Sequence, residues 1–353
     1  MQTSLVNRFL SDFFLNIHNN EQNNWDFLRF KNHHKKEGVF DPSVALHTFS
    51  FILNNIKNFE LIYNQLTDPD SKNIFEKLLL FKVLGHMHIR LPQNTVQFWE
   101  EYNSINSKFL VGPSPISRKN AELNIYFLPG LNIRLIASPL TILTLFQARQ
   151  YFYQRAEMIC PEPGDNVIDA GSCRGDVALH FAHAVGANGQ VHAFEFVPAN
   201  LEIFSANLEM NPELSGRITV VEKALSRESG QRLYYEDRGP STSLNGNISS
   251  GAATETISLD DYAKIQHLAS VDFIKMDIEG SEESALLGAF QTITRFKPKL
   301  AICIYHKQDD FFRLPLIIKK MNPGYQLYID HYTIHEEETV LYAIDKSKNA
   351  GAC

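Results

Sequence analysis

The segment Val167-Ile-Asp-Ala-Gly-Ser-Cys-Arg-Gly-Asp176 carries the spacing most suited to chemistry in this chain. Asp169 is followed by Gly171 and Gly175, an Asp-x-Gly-x-x-x-Gly pattern. Pro163-Gly164 precedes it, and Val177, Leu179, Phe181, Ala182 and Val185 follow with helical apolar spacing. A strand running into a glycine turn and then a helix seats a cofactor on an open α/β sheet. Gly171 and Gly175 let the backbone approach a ligand or take positive φ. Val191-His-Ala-Phe-Glu-Phe196 reads as the next strand. It places Glu195 where an acidic side chain can accept hydrogen bonds from both hydroxyls of a ribose. The pattern is not Gly-x-Gly-x-x-Gly, so the cofactor it suits bears a nucleoside but need not carry a pyrophosphate.

A second block, Phe273-Ile-Lys-Met-Asp-Ile-Glu-Gly-Ser-Glu282, reads as a buried strand delivering Lys275, Asp277 and Glu279 to the same crevice, with Gly280 allowing a tight turn. Two carboxylates this close either orient a hydroxyl substrate and the charged end of a cofactor, or bind a divalent metal through oxygen. A metal would call for further carboxylates at the end of the following strand. Tyr305 and His306 stand there instead, so no metal is expected. His306 is the expected general base, because its unperturbed pKa lies near neutrality and a carboxylate could orient it. The bland alternative is a structural histidine bonded to a loop carbonyl. His331 is a second candidate. Asp169, Glu195, Glu222, Asp277 with Glu279, and Tyr305-His306 fall at the carboxyl ends of successive strands, where open α/β sheets bind ligands. Any one of them alone is more often a helix cap.

The elements that must position these residues show a change of texture near residue 146. Residues 1–145 carry helical apolar spacing at 9–14, 44–56 and 74–84, with Pro42 as a helix start and a hairpin around Pro129-Gly130. Residues 19–24 and 31–36, including His33 and His34, read as solvated connections. From 146 to 346 strands alternate with helices. A helix is expected over 147–158. Strands are expected at 166–169, 191–196, 218–222, 273–277 and 300–305, with a helix over 282–294. A closing hairpin, 326–330 with 339–344, should put one antiparallel strand at an edge, with Glu336-Glu337-Glu338 in its solvent-facing turn. Residues 347–353 form a tail.

At 353 residues with 44% hydrophobic and 21% charged side chains, the composition is that of an ordinary globular protein. The formal charge of −7 argues against broad nucleic-acid binding. No secretory leader is expected in residues 1–20, and no run is long enough to span a membrane. Cys160, Cys173, Cys303 and Cys353 are scattered without a CxxC pair, which suits reduced thiols and a cytoplasmic location. Cys173 is expected to fill tight space rather than react.

The chain resembles the FkbM-like family of S-adenosylmethionine-dependent methyltransferases over roughly residues 146–345. The resemblance rests on Pro163-Gly-Asp-Asn-Val-Ile-Asp-Ala-Gly171, Phe194-Glu195-Phe196, Leu259-Asp260-Asp261, Asp272–Glu282 and Ile304-Tyr-His306. It implies a Rossmann-like α/β class I methyltransferase fold: a mostly parallel seven-stranded sheet whose last strand inserts antiparallel, joined to an N-terminal mainly helical domain. It implies S-adenosyl-L-methionine as methyl donor. By position, Asp169 and Gly171, with Ser172 and Gly175 in the same turn, would flank the methionine part. Glu195 and Phe196 would hold the ribose, and the segment from Glu222 to Ala224 would lie beside adenine. Ser243 and Asp277 would lie near donor and acceptor. Ser172-Cys173-Arg174 departs from the small or histidine-containing triplets common in the family. O-methylation of a sugar, glycan or secondary metabolite is the implied reaction, with His306, Asp277 and Glu279 on the acceptor side. The N-terminal part is expected to cover the acceptor cleft, form a homodimer, or both. The competing functions are a non-catalytic scaffold and an NAD(P)-dependent dehydrogenase.

Overall fold

Short apolar runs bounded by turn residues make the central sheet of this computed structural model, which describes residues 4–18, 42–86, 88–118, 122–236, 239, 242–243 and 251–347. The strands are β1 (Asn166–Ala170), β2 (Gln190–Phe194), β3 (Ile218–Val221), β4 (Phe273–Met276), β5 (Lys299–Cys303), β6 (Gln326–His331) and β7 (Thr339–Ile344). Their order across the seven-stranded sheet is β6-β7-β5-β4-β1-β2-β3. Strands β1 to β5 run parallel, while β7 is antiparallel to both β5 and β6. The antiparallel strand is therefore inserted, as the family resemblance implied. It does not lie at the edge, where the hairpin pattern alone put it. β3 forms one edge of the sheet, and the edge strand on the hairpin side is β6.

That edge is covered by the N-terminal part. Leu66 bridges Leu327, the Thr67 N–H donates to the Leu327 carbonyl at 3.0 Å, and the Ile329 N–H donates to Ser71 Oγ at 2.9 Å. Covering an open edge removes a template for pairing with other chains. Successive strand residues face opposite sides, and both sides are buried. Ile168, Ile274, Ile302 and Ile329 pack with helices Leu5–Asn16, Pro42–Asn54, Ile56–Gln65 and Pro69–Leu84. Val167, Phe273, Ala301 and Tyr328 pack with Phe181, Phe152, Tyr153 and Leu135.

Three local expectations are corrected. Residues 147–158 are not a helix. A π-helix, Ile142–Gln147, ends there, and Arg149 and Tyr151 take φ of 57° and 72°. The paired strands Tyr153–Gln154 and Met158–Ile159 follow. Tertiary contacts override the apolar pattern here: the Tyr151 N–H donates to Tyr342 Oη at 3.1 Å, and Tyr153 packs on Tyr328 and Tyr342. The helix over 282–294 is two helices, Glu282–Leu287 and Phe290–Phe296. Asp260 accepts the Gln291 and Thr292 N–H groups at 3.0 and 2.7 Å, so it caps the second. The Glu336–Glu338 turn is only partly solvent-facing, because Glu337 and Glu338 are half-buried. The hairpin expected around Pro129-Gly130 is present as Asn124–Leu128 with Ile133–Ala137. Helix Val96–Phe109 and strands Leu110–Pro113 and Ala252–Ile257 lacked a clear sequence pattern. Residues 19–24 and 31–36 and the tail beyond Ser347 lie outside the described residues. Among the described residues no helix is long and apolar enough to cross a membrane.

Candidate active site

The ends of β1, β2 and β4 are tied together at Gly171. Its N–H and that of Ser172 donate to the Phe194 carbonyl at 3.0 Å each, and the Asp277 N–H donates to Ala170 O at 3.1 Å. Gly171 has φ 79°, and a Cβ there would sit 1.8 Å from the Asp277 carbonyl oxygen. Only glycine meets both conditions. Lys275 lies beneath the turn. Its ammonium donates to the Ala170 and Gly171 carbonyls at 3.1 and 2.6 Å and pairs with the buried Asp169 Oδ1 at 3.0 Å. Burial alone would lower the Lys275 pKa, but Asp169 and Asp277 raise it above its ordinary value. Lys275 therefore stays charged.

The sequence-derived donor residues divide into three groups. Gly171, Glu195, Phe196, Ala224 and Asp277 line one narrow cavity of about 50 Å³, with Asn200, Leu225 and Ile278. Asp169, Ser172 and Gly175 shape the turn from below. Ser172 Oγ donates to the Asp169 carbonyl at 2.8 Å, and Gly175, at φ 75°, leaves room for the Phe204 ring. Glu222 and Ser243 are exposed and line neither this cavity nor its neighbour. Glu195 Oε1 accepts the Phe196 and Val197 N–H groups at 2.6 and 2.7 Å, and Oε2 accepts from Asn200 at 3.0 Å. Burial raises its pKa against those hydrogen bonds. The Cys173 thiol is pushed up by burial and is no thiolate.

A wider cleft of about 560 Å³ adjoins this cavity and shares Gly171, Cys173, Asp277 and Glu279 with it. Ser138, Leu140, Thr141 and Thr144 form one wall, Tyr305 and His306 the floor, and Glu336, Glu337 and Glu338 the rim. Asp277 holds two tyrosine hydroxyls: Tyr151 donates to Oδ2 at 2.9 Å and Tyr305 to Oδ1 at 3.1 Å. Burial opposes the charge on Asp277, but Lys275 and His306 outweigh it and lower its pKa. Glu279 sits at φ 54°, a left-handed backbone that side chains rarely adopt. Burial pushes its carboxyl up to about 7 against the pull of His306.

His306 stands among three carboxylates. Nδ1 is 3.0 Å from Glu282 Oε1, and Nε2 is 3.4 Å from Asp277 Oδ1 and 3.6 Å from Glu279 Oε2. Burial would lower its pKa, but Glu282, Asp277 and Glu279 outweigh that and raise it to about 9. The ligand-capable atoms of Asp277, Glu282 and His306 lie within 4.8 Å of one another. His331 stays outside the cleft. Its Nδ1 is 2.9 Å from Thr339 Oγ1, and burial drives its pKa down to about 3.

Sequence reasoning missed Tyr151, Gln150, Glu338 and the role of Glu282. Gln150 Nε2 donates to Glu338 at 2.6 Å, and burial pushes Glu338 up to about 7. Glu282 was in view inside the Asp272–Glu282 motif, but only as a helix start. The other three had no local signal, because the fold alone brings 150–151 and 338 to the strand ends.

Residues 169–336 match the model of the methyltransferase FkbM domain. Among solved structures, the chain is similar to a methyltransferase FkbM from Methylobacillus flagellatus KT: 21% identity, TM-score 0.54, 83% of this chain and 60% of that one. This chain thus spans less than two thirds of that structure's length, and the likeness shows the fold. Weaker likenesses are to fibrillarin from Aeropyrum pernix with S-adenosyl-L-methionine (12% identity, TM-score 0.35, 65% of this chain, 98% of that), and to an O-methyltransferase from Bacillus cereus in complex with SAH (12%, 0.34, 51% and 73%). No curated protein matches the sequence.

Proposed function

We propose, from the match of residues 169–336 to the methyltransferase FkbM domain, that the chain moves a methyl group from S-adenosyl-L-methionine to a hydroxyl of a sugar, glycan or secondary metabolite. The observation that carries this reading is the wall shared by the narrow cavity and the wide cleft, made of Gly171, Cys173, Asp277 and Glu279.

The residues of the narrow cavity fit such a donor. Glu195 offers carboxylate oxygens for ribose hydroxyls, and Phe196, Ala224, Leu225 and Ile278 offer apolar surface for adenine. Gly171 presents bare backbone, and Asp277 supplies negative charge for a sulfonium. Sites for ligands of this size hold roughly 300–1,000 Å³, and the narrow cavity reaches that scale together with the cleft of about 560 Å³ it adjoins. The donor supplies an activated methyl group. An acceptor oxygen held in line would take that methyl group, with the electron pair of the S–C bond leaving on sulfur. Alignment contributes much of the rate.

The hydroxyl proton goes to Glu279. Both Asp277 oxygens already accept tyrosine hydroxyls, whereas Glu279 borders both cavities and, among the described residues, meets only His306, at 3.6 Å. Asp277 and His306 bind and orient the acceptor. Residues 1–145 act as the acceptor-side cover, since Ser138, Leu140, Thr141 and Thr144 face the cleft, while 146–346 carry the methyltransferase domain. Free Cys160, Cys173 and Cys303 fit a reducing, cytoplasmic setting.

The test is release of S-adenosylhomocysteine across a panel of hydroxylated sugars and metabolites, with product NMR. New O-methyl signals support the reading. Methyl groups found only on nitrogen or carbon would refute it.

A further inference from the structure

A buried carboxylate costs free energy unless a cation or a set of donors compensates it. Glu282 is fully buried. Its Oε1 accepts the Ile278 N–H at 2.9 Å, but Oε2 has no hydrogen-bond partner. The His306 side chain is 7% exposed, and neither ring nitrogen meets a partner in hydrogen-bond geometry, despite the short approach to Glu282. The nearby lysines are committed elsewhere: Lys275 to Asp169 and two carbonyls, Lys307 to the Gly280 carbonyl. Among the described residues, His306 is the one basic side chain within 4.0 Å of Asp277, Glu279 and Glu282, with Lys275 acting on Asp277 from farther off.

We propose that Asp277, Glu282 and His306 form a binding site for a divalent metal cation at the floor of the acceptor cleft. Two carboxylates and one imidazole are a mixed oxygen and nitrogen set of the kind Mn²⁺ accepts. Three protein ligands leave coordination positions open. Asp277 and His306 line the wide cleft, so those positions face an acceptor oxygen. A cation there polarises the hydroxyl and eases transfer of its proton to Glu279. That catalytic use rests on the methyl-transfer reading, whereas binding of the cation does not. The sequence pointed away from a metal because the end of β5 lacks a carboxylate. The structure supplies the further carboxylate from Glu282, in the first turn after β4.

The experiment titrates the chelator-treated full chain with Mn²⁺ and follows the free ion by electron paramagnetic resonance. The expected result is one saturable site, weakened at least about tenfold in His306→Asn and in Glu282→Gln, and unchanged in the exposed Glu209→Gln. Circular dichroism checks that each variant is folded. No saturable binding by the wild-type chain overturns the site, as does binding that both variants leave intact. Parallel calorimetry with S-adenosylhomocysteine separates the two readings. Donor binding without Mn²⁺ binding refutes the cation site alone, and Mn²⁺ binding without donor binding refutes methyl transfer alone.

Discussion

Gly171 has no room for any side chain, because its backbone is left-handed and the Asp277 carbonyl fills the space where a Cβ would go. Gly171→Ala should therefore cost roughly 1–3 kcal/mol from the dihedral alone and push Asp277 away from the shared wall. A urea melt reads the first effect and donor affinity the second. Wild-type values for both would remove Gly171 from the account. Glu279→Gln keeps the size of the side chain and removes the proton acceptor. Turnover should fall by about 10²-fold or more, while donor affinity stays within a few-fold. A variant with full turnover would show that another group takes the proton. At this scale the sequence was a partial guide. Asp169, Gly171, Glu195 and Asp277 stood out because motif spacing marks them. Asp169 nevertheless lies in a buried ion pair with Lys275 on the neighbouring strand, and Glu222 turned outward. A strand-end position alone does not say which way a side chain points.

Asp260 shows how a motif residue can act through an element rather than through chemistry. It accepts two backbone N–H groups and the Thr292 hydroxyl at the start of helix Phe290–Phe296. Asp260→Ala should cost about 1 kcal/mol, within the range for lost caps, and leave turnover at saturating substrate near normal. A large loss of turnover in a stably folded variant would place Asp260 closer to the chemistry. The seven strands were legible because each is a short, largely apolar run between turn signals, and all but the edge strand β3 are buried on both faces. The segment after Ile142–Gln147 was not. Its aromatic residues fit a helical pattern, but Tyr151 and Tyr153 are held by Tyr342 and Tyr328 from the far end of the chain. Long-range contacts of this kind leave no local trace. The inserted position of β7 is a similar case, because a hairpin pattern does not say which of its strands pairs with the rest of the sheet.

Over the whole molecule, acid stability divides between opposing groups. His180 and His331 are held near 3 and His192 near 4, in each case chiefly by burial. Burial raises Glu279 and Glu338 to about 7 and Asp310 to about 6. Below about pH 6.5 the unfolded chain binds protons at those histidines and the folded chain does not, so they lose stability as pH falls. The raised carboxyls work the other way. A single variant isolates one part of this balance. His180 stacks between Phe146 and Phe152, at centroid distances of 4.9 and 4.1 Å, and His180→Phe removes its titration. From pH 7 to pH 5 the wild type should lose about 2 kcal/mol relative to His180→Phe, from a group held near 3 when folded and near 6.5 when unfolded. A constant gap between the two urea melts would show that His180 is not buried neutral.

The central claim is that the narrow cavity at Gly171, Glu195 and Asp277 holds a methyl donor. Calorimetric titration of the full chain with S-adenosylhomocysteine tests it most directly, run with wild type and with Glu195→Ala. The account predicts saturable binding of wild type in the micromolar range, weakened at least about tenfold in Glu195→Ala by loss of a charged hydrogen-bond partner. No binding by the wild-type chain at millimolar ligand, or equal binding by both proteins, would contradict it.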